Sequence, residues 1–177
     1  MYKKMNNNEE IFLEQIFAKP TYKFHIRELA KITKLNPNTI INISKKLIKE
    51  GILVVEKKKH ITEIFFNLGN PEAVIRKKIF NLKQIYDSRI IDIIKEKFQP
   101  EAVVIIGSYS RGEDIEDSDI DIVAVSKKDY ETISLKKFED FLKRKVHVII
   151  TDYKQMSEEF YINFINGIVL YGAINKK

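Results

Sequence analysis

The feature that most restricts what this chain can fold into is the run Val103-Val104-Ile105-Ile106-Gly107-Ser108-Tyr109-Ser110-Arg111-Gly112, followed after six residues by Asp119-Ile120-Asp121-Ile122. Four apolar β-formers read as a buried strand that stops in a Gly-Ser turn, and a second strand opens at Asp-Ile-Asp. Strand side chains alternate faces, so Asp119 and Asp121 are expected on one face while Ile120 and Ile122 enter the core. Two carboxylates on one face suit a single hard divalent cation, and such cations at phosphates take one or two carboxylates plus phosphate oxygens. Gly107 lets a ligand approach the backbone closely, and Ser108 with the amides of Tyr109 and Ser110 can donate to phosphate oxygens if a short helix starts there. Arg111 offers either a cationic fork for phosphate or a salt bridge to Glu113 or Asp114. Taken singly, these pieces are an amphipathic strand and a plain turn. Together with Glu113, Asp114, Glu116 and Asp117 the two aspartates make an acidic run whose charges repel unless solvated or neutralised by a metal.

These residues resemble the minimal nucleotidyltransferases of the DNA polymerase beta superfamily. The match is Gly107-Ser108, ten intervening residues, then Asp119-Ile120-Asp121, with Arg111-Gly112 and Ser118 also where the family pattern has them. It spans residues 88–172 and includes Asn166-Gly167-Ile168-Val169-Leu170-Tyr171-Gly172, which looks like the family's closing strand. The resemblance implies Mg²⁺ or Mn²⁺ on Asp119 and Asp121, and ATP or another nucleoside triphosphate held by Gly107, Ser108 and Arg111. It also implies a third carboxylate on the strand after the next helix, in a pattern like Lys145-Val146-His147-Val148, helping to hold metal and to deprotonate the attacking hydroxyl. Here His147 takes that place. An imidazole can act as ligand or base near neutral pH, and a lone strand histidine can equally be structural. Asp152 is a poor substitute, because five residues on it has the opposite strand parity.

The formal charge of +6 is confined to one part of the chain. Residues 1–70 hold 13 Lys and Arg against 7 Asp and Glu, whereas residues 71–177 hold 18 of each. The basic excess therefore directs the N-terminal part toward a polyanion. Within residues 8–69 the helical period occurs three times, on Ile11, Phe12, Ile16 and Phe17, on Ile26, Leu29, Ala30 and Ile32, and on Ile40, Ile43, Leu47 and Ile48. Asn36 can cap the third helix with Pro37 in its first turn, and Gly51 can end it. Two strand-like runs follow, joined by Lys57-Lys58-Lys59-His60. This order is the layout of a winged helix-turn-helix. It looks like the winged domains of archaeal and bacterial regulators, with Arg27-Glu28-Leu29-Ala30 and residues 47–53 typical of that likeness. On the third helix Asn38, Thr39, Asn42, Lys45, Lys46 and Lys49 share the side away from the apolar residues. With the wing lysines Lys57, Lys58 and Lys59 they form the expected surface for duplex DNA. The alternative is a solvated helix face and a wing used for protein contacts.

The expected organisation is mixed α/β: a winged helix domain over 1–69, a linker helix over 70–98, and a small mixed-sheet nucleotidyltransferase domain over 99–177. The apolar content of 44% over 177 residues suffices for two modest cores. The linker carries Ile75, Ile79, Leu82, Tyr86, Ile90 and Ile93 at helical spacing, as one helix or as two broken at Asp87-Ser88. That stripe is expected to be covered by the sheet, the winged domain or a second subunit in a homodimer. Without cysteine there are neither disulfides nor thiolate metal sites. No apolar run approaches the ~18 residues of a membrane span and no signal-peptide layout opens the chain, so a cytoplasmic protein without membrane contact is expected. The leading function is Mg²⁺-dependent transfer of a nucleoside monophosphate to a hydroxyl. The resemblance implies as acceptor either a partner protein, such as the toxin of a toxin-antitoxin pair, or a small molecule, and a protein hydroxyl is expected because no extra domain to enclose a small substrate is evident. The rival is a DNA-binding regulator whose second domain binds nucleotide or a partner without turnover.

Overall fold

The computed structural model describes residues 7–58, 61–128 and 132–175. The chain divides into two compact units, Met1–Lys77 and Lys78–Lys177, and the division falls inside one helix.

The first unit contains α1 (Asn7–Ala18), β1 (Phe24–His25), α2 (Ile26–Thr33), α3 (Pro37–Lys49), β2 (Leu53–Lys58), β3 (Ile61–Phe66) and the start of α4 (Pro71–Ser88). Helix α3 begins where local chemistry requires it, with Asn36 Oδ1 accepting from the Asn38 N–H at 2.8 Å and Pro37 in the first turn. It ends at Gly51, φ +73°, where the Ile52 and Gly51 amides donate to the Leu47 and Ile48 carbonyls at 2.9 and 3.0 Å. Only a residue at ease in the left-handed region closes a helix this way without strain. Strands β2 and β3 form an antiparallel hairpin from Leu53↔Phe66 to Lys58↔Ile61, and β1 joins the other edge of β3 through Phe24↔Ile64. One expectation for α2 fails: Ile32 is exposed and Thr33 is buried. The Thr33 hydroxyl donates to the Leu29 carbonyl at 2.6 Å, so its polar atom enters the core already paired. Glu9 of α1 is also buried, and its carboxylate is held by Arg76 and Lys46.

The second unit contains the rest of α4, then α5 (Ile90–Phe98), β4 (Ala102–Ile106), α6 (Gly107–Arg111), β5 (Ile120–Val125), α7 (Lys136–Leu142), β6 (Val146–Thr151), α8 (Glu158–Ile165) and β7 (Ile168–Gly172). The helical stretch through 70–98 is two helices. Arg89 sits in the left-handed region at φ 64°, and the Ser88 hydroxyl bonds both the Ile85 carbonyl and the Ile90 amide across the break. The expected cover of its apolar stripe is incomplete, since Ile75, Ile79 and Tyr86 are exposed. The buried side of α4 is instead Ala73, Lys77, Phe80, Asn81 and Ile85, a phase in which a lysine and an asparagine replace apolar residues.

The sheet order is β6-β5-β4-β7, with β4 antiparallel to β5 and β7, and β5 parallel to β6. A parallel pair needs a crossover, and α7 lies within it. Alternation divides the core in two. Val103, Ile105, Ile120, Ile122 and Ala124 face Ile94, Phe98 and Phe138, while Val104, Ile106, Val123 and Val125 face Met156 and Phe164. Full burial of each such side chain stabilises by about 1.5–3 kcal/mol, so β4 and β5, covered on both faces, are the rigid floor of the unit. No described helix is long and apolar enough to cross a membrane.

Candidate active site

The rigid floor delivers its polar groups at one end. Strand β5 is buried along its length except at Asp121, which pairs in register with Ile106 on one side and His147 on the other. Because Val123 shares the parity of Asp121, and Ile149 that of His147, both polar residues rise from the sheet face packed against α8. Asp119 lies one residue before β5 and is half-buried. Ile120 and Ile122 are fully buried on the opposite face, as the alternation requires.

His147 Nδ1 stands 3.3 Å from Asp121 Oδ1, with the two side chains 55% and 36% exposed, so the pair is open to a ligand. With the proton on Nδ1, this nitrogen donates to Asp121 and leaves Nε2 with a free lone pair. The other carboxylate oxygen is backed by glycine: a Cβ at Gly107 would come within 3.2 Å of Asp121 Oδ2. Gly107 itself has φ +75°, the left-handed conformation that turns β4 sharply into α6. Helix α6 closes at Gly112, φ +78°, whose amide donates to the Ser108 and Tyr109 carbonyls. Ser108 thus stands at the strand-to-helix corner, half-buried.

Arg111 takes the structural alternative, with Nε 2.7 Å from Glu113 Oε2 and both side chains more than half exposed. An exposed pair of this kind contributes ~0–1 kcal/mol and can open to a phosphate. The acidic run does not act as one cluster. Asp114 is 1% exposed and turns inward, where its Oδ1 accepts from Asn81 Nδ2 at 2.7 Å and Arg144 Nη2 lies 3.6 Å from its Oδ2. Burial, then the nearby Asp114 carboxylate, push the Tyr109 phenol well above its ordinary pKa, with the Arg144 guanidinium pulling the other way. Asp152 caps the 3-10 turn at Tyr153–Gln155, accepting from the Lys154 amide at 2.9 Å, and takes no part in the site.

Among the described residues no three His, Asp or Glu side chains converge as a metal cage. A divalent ion here would draw on Asp119 and Asp121 and complete its shell with phosphate oxygens and water, the manner in which Mg²⁺ binds. The glycine-lined space beside Asp121 Oδ2 fits that use.

In the first unit Asn38, Asn42, Lys45 and Lys49 of α3 are exposed and Thr39 is half-exposed. Lys46 differs from the others because it engages the buried Glu9 and lies 3.9 Å from Glu50. Lys57 and Lys58 end β2, with Lys57 exposed, and Lys59 lies outside the described residues. Asn81 and Arg144 were not among the residues singled out from the sequence. The available signal was an asparagine at 81 in phase with Ala73 and Ile85, a polar residue on the buried side of a helix.

Residues 87–171 match the family model of the nucleotidyltransferase domain. A crystal structure provisionally described as a nucleotidyltransferase from Sulfolobus solfataricus is similar at 25% identity, covering 59% of this chain and 91% of that one, with a TM-score of 0.36. No curated protein matches the chain.

Proposed function

We propose that the nucleotidyltransferase domain matched at residues 87–171 is an active one, transferring a nucleoside monophosphate, AMP in the first instance, from a triphosphate to a hydroxyl on a partner protein. The observation that carries this reading is the convergence of the β4–α6 glycine corner with Asp121 and His147 at one end of the sheet. Asp119 and Asp121 hold Mg²⁺ or Mn²⁺, which when bound neutralises charge on the triphosphate. Gly107 and Ser108 hold the β- and γ-phosphates, and Arg111 leaves Glu113 to add a cation. His147 takes the acceptor's proton on Nε2, oriented by Nδ1–H donation to Asp121. The acceptor oxygen forms a bond to the α-phosphorus, the bond between that phosphorus and the bridging oxygen breaks, and pyrophosphate leaves.

The first unit is read as a winged helix-turn-helix that binds duplex DNA through Asn38, Thr39, Asn42, Lys45 and Lys49, with 70–98 as the linking segment. Support comes from the exposure of these side chains on one helix whose opposite face is buried. A homodimer is supported by Ile79 on α4, exposed although apolar.

The test is incubation with Mg²⁺ and α-labelled nucleoside triphosphates alongside the protein encoded next to this gene. Label should pass to that protein and be lost with Asp119→Asn or Asp121→Asn. One observation favours the second reading, a DNA-binding regulator without turnover: an exposed imidazole stands in register with Asp121 at the position where the resembling enzymes carry a carboxylate. Absence of labelled product from both the parent and His147→Asp, with nucleotide still bound, selects the regulator.

A further inference from the structure

The five-residue helix α6 is too short to hold itself, because a first helical turn fixes several dihedrals for a single hydrogen bond. It also lies between two glycines in the left-handed region, Gly107 and Gly112, each free to relax elsewhere. Beyond its own bonds, among them Ser110 Oγ donating to the Gly107 carbonyl at 2.7 Å, it is held from outside. Asn81 of α4, 3% exposed, donates from Nδ2 to the Tyr109 carbonyl at 3.0 Å and to Asp114 Oδ1 at 2.7 Å. One amide therefore clamps the middle of α6 and the loop that leaves it. Asp114 in turn faces Arg144, two residues before β6, the strand that carries His147. Both acceptors lie in a water-poor interior, where removal of the donor takes one bond from Asp114 Oδ1 and leaves the Tyr109 carbonyl with the Gly112 amide, at a cost that relaxation of the turn would relieve.

We propose that Asn81 is a positioning residue for nucleotide binding, holding the Gly107–Arg111 turn in its binding conformation before the triphosphate arrives. The proposal rests on the reading of that turn as the phosphate-holding element. With Asn81 present, the ordering of α6 is complete in the free protein. Without it, the turn is ordered only when nucleotide binds, so apparent affinity falls by the fraction of molecules already in the competent state. The number of sites per chain does not change.

The experiment is titration calorimetry of the full chain with Mg²⁺ and ATP, comparing the parent, Asn81→Ala and Asn81→Ser. The serine keeps one hydroxyl donor for two acceptors. Asn81→Ala should weaken ATP binding about tenfold or more with stoichiometry unchanged, and Asn81→Ser by less. In the transfer assay KM for ATP should rise while kcat at saturation stays within about twofold. A merely structural role would do the reverse, leaving a share of the molecules permanently misfolded, so that sites per chain and kcat fall with affinity and KM unchanged, and that result overturns the proposal. Parental affinity in both folded variants overturns it as well. If neither variant folds, by circular dichroism, Asn81 belongs to the folding of the unit and the proposal fails. A parent that binds no ATP overturns the proposed function, and this inference with it; a parent that binds beside variants of equal affinity overturns this inference alone.

Discussion

Replacing Gly107 with alanine tests the corner on which the site is built. The backbone there has φ +75°, and a Cβ would stand 3.2 Å from Asp121 Oδ2. A left-handed L-residue costs about 1–2 kcal/mol. The stiffer unfolded chain returns ~0.4–1 kcal/mol, leaving a net loss of about 1 kcal/mol. That is roughly a 4–8 °C drop in midpoint for a unit of this size. The effect on chemistry should be larger than the effect on folding. A contact of 3.2 Å is tighter than ordinary packing, so the Asp121 carboxylate must retreat by a few tenths of an ångström. Since a misplacement of ~1 Å can cost ~10²-fold in rate, about a tenfold loss of transfer is expected. Label transfer and urea unfolding, measured on the same preparation, separate the two. Parental transfer by Gly107→Ala would refute the claim that this corner touches the reacting groups. A stability loss above about 3 kcal/mol would refute the strain estimate, because it exceeds any left-handed penalty.

Three further outcomes follow from named side chains. Lys45→Ala with Lys49→Ala should flatten the slope of log affinity against log salt by about 0.9 for each phosphate no longer neutralised, measured by fluorescence anisotropy on duplex DNA. Lys46→Ala and Glu9→Gln should instead lower stability, by about 2 kcal/mol for Glu9→Gln in denaturant unfolding, because that buried carboxylate holds both Lys46 and Arg76. Tyr109 has its phenol pKa raised in the fold, so above pH ~10 the unfolded chain releases this proton first and stability falls as pH rises; below pH ~10 the two states agree. The parent should therefore lose up to ~1.4 kcal/mol per pH unit relative to Tyr109→Phe in unfolding experiments above that pH, and parallel curves would count against it.

What could be read in advance was chemistry confined to a few neighbouring residues. Asn36-Pro37 and Gly51 bound α3 through hydrogen bonds within five positions, and the Val103–Ile106 run needed only its own apolarity to be a buried strand. The phase of α4 could not be read this way. Ile75 and Ile79 looked like the buried stripe because apolar spacing ranks residues by transfer energy, whereas Lys77 and Asn81 are buried by virtue of their surroundings. The inward turn of Asp114 out of the acidic run is hidden from sequence for the same reason. Asp114 has the sequence context of a surface loop, and only the approach of Asn81 and Arg144, each at least 30 residues distant, permits its burial. Sequence can rank a side chain's dislike of water; it cannot count the partners a fold will supply.

Asp121 and His147 project from the rim of a sheet whose free energy resides in the valines and isoleucines beneath them. Their side chains are too exposed to contribute much to that free energy. Folding and chemistry are therefore kept in separate sets of residues along the same strands. An imidazole or an amide at 147 changes the stability of the scaffold little, whereas a carboxylate there would face that of Asp121, so a variant silenced by an amide keeps its shape and its melting point. For a protein of this kind a thermal-shift screen will pass active and silent versions alike, and only a measurement that follows phosphorus will tell them apart.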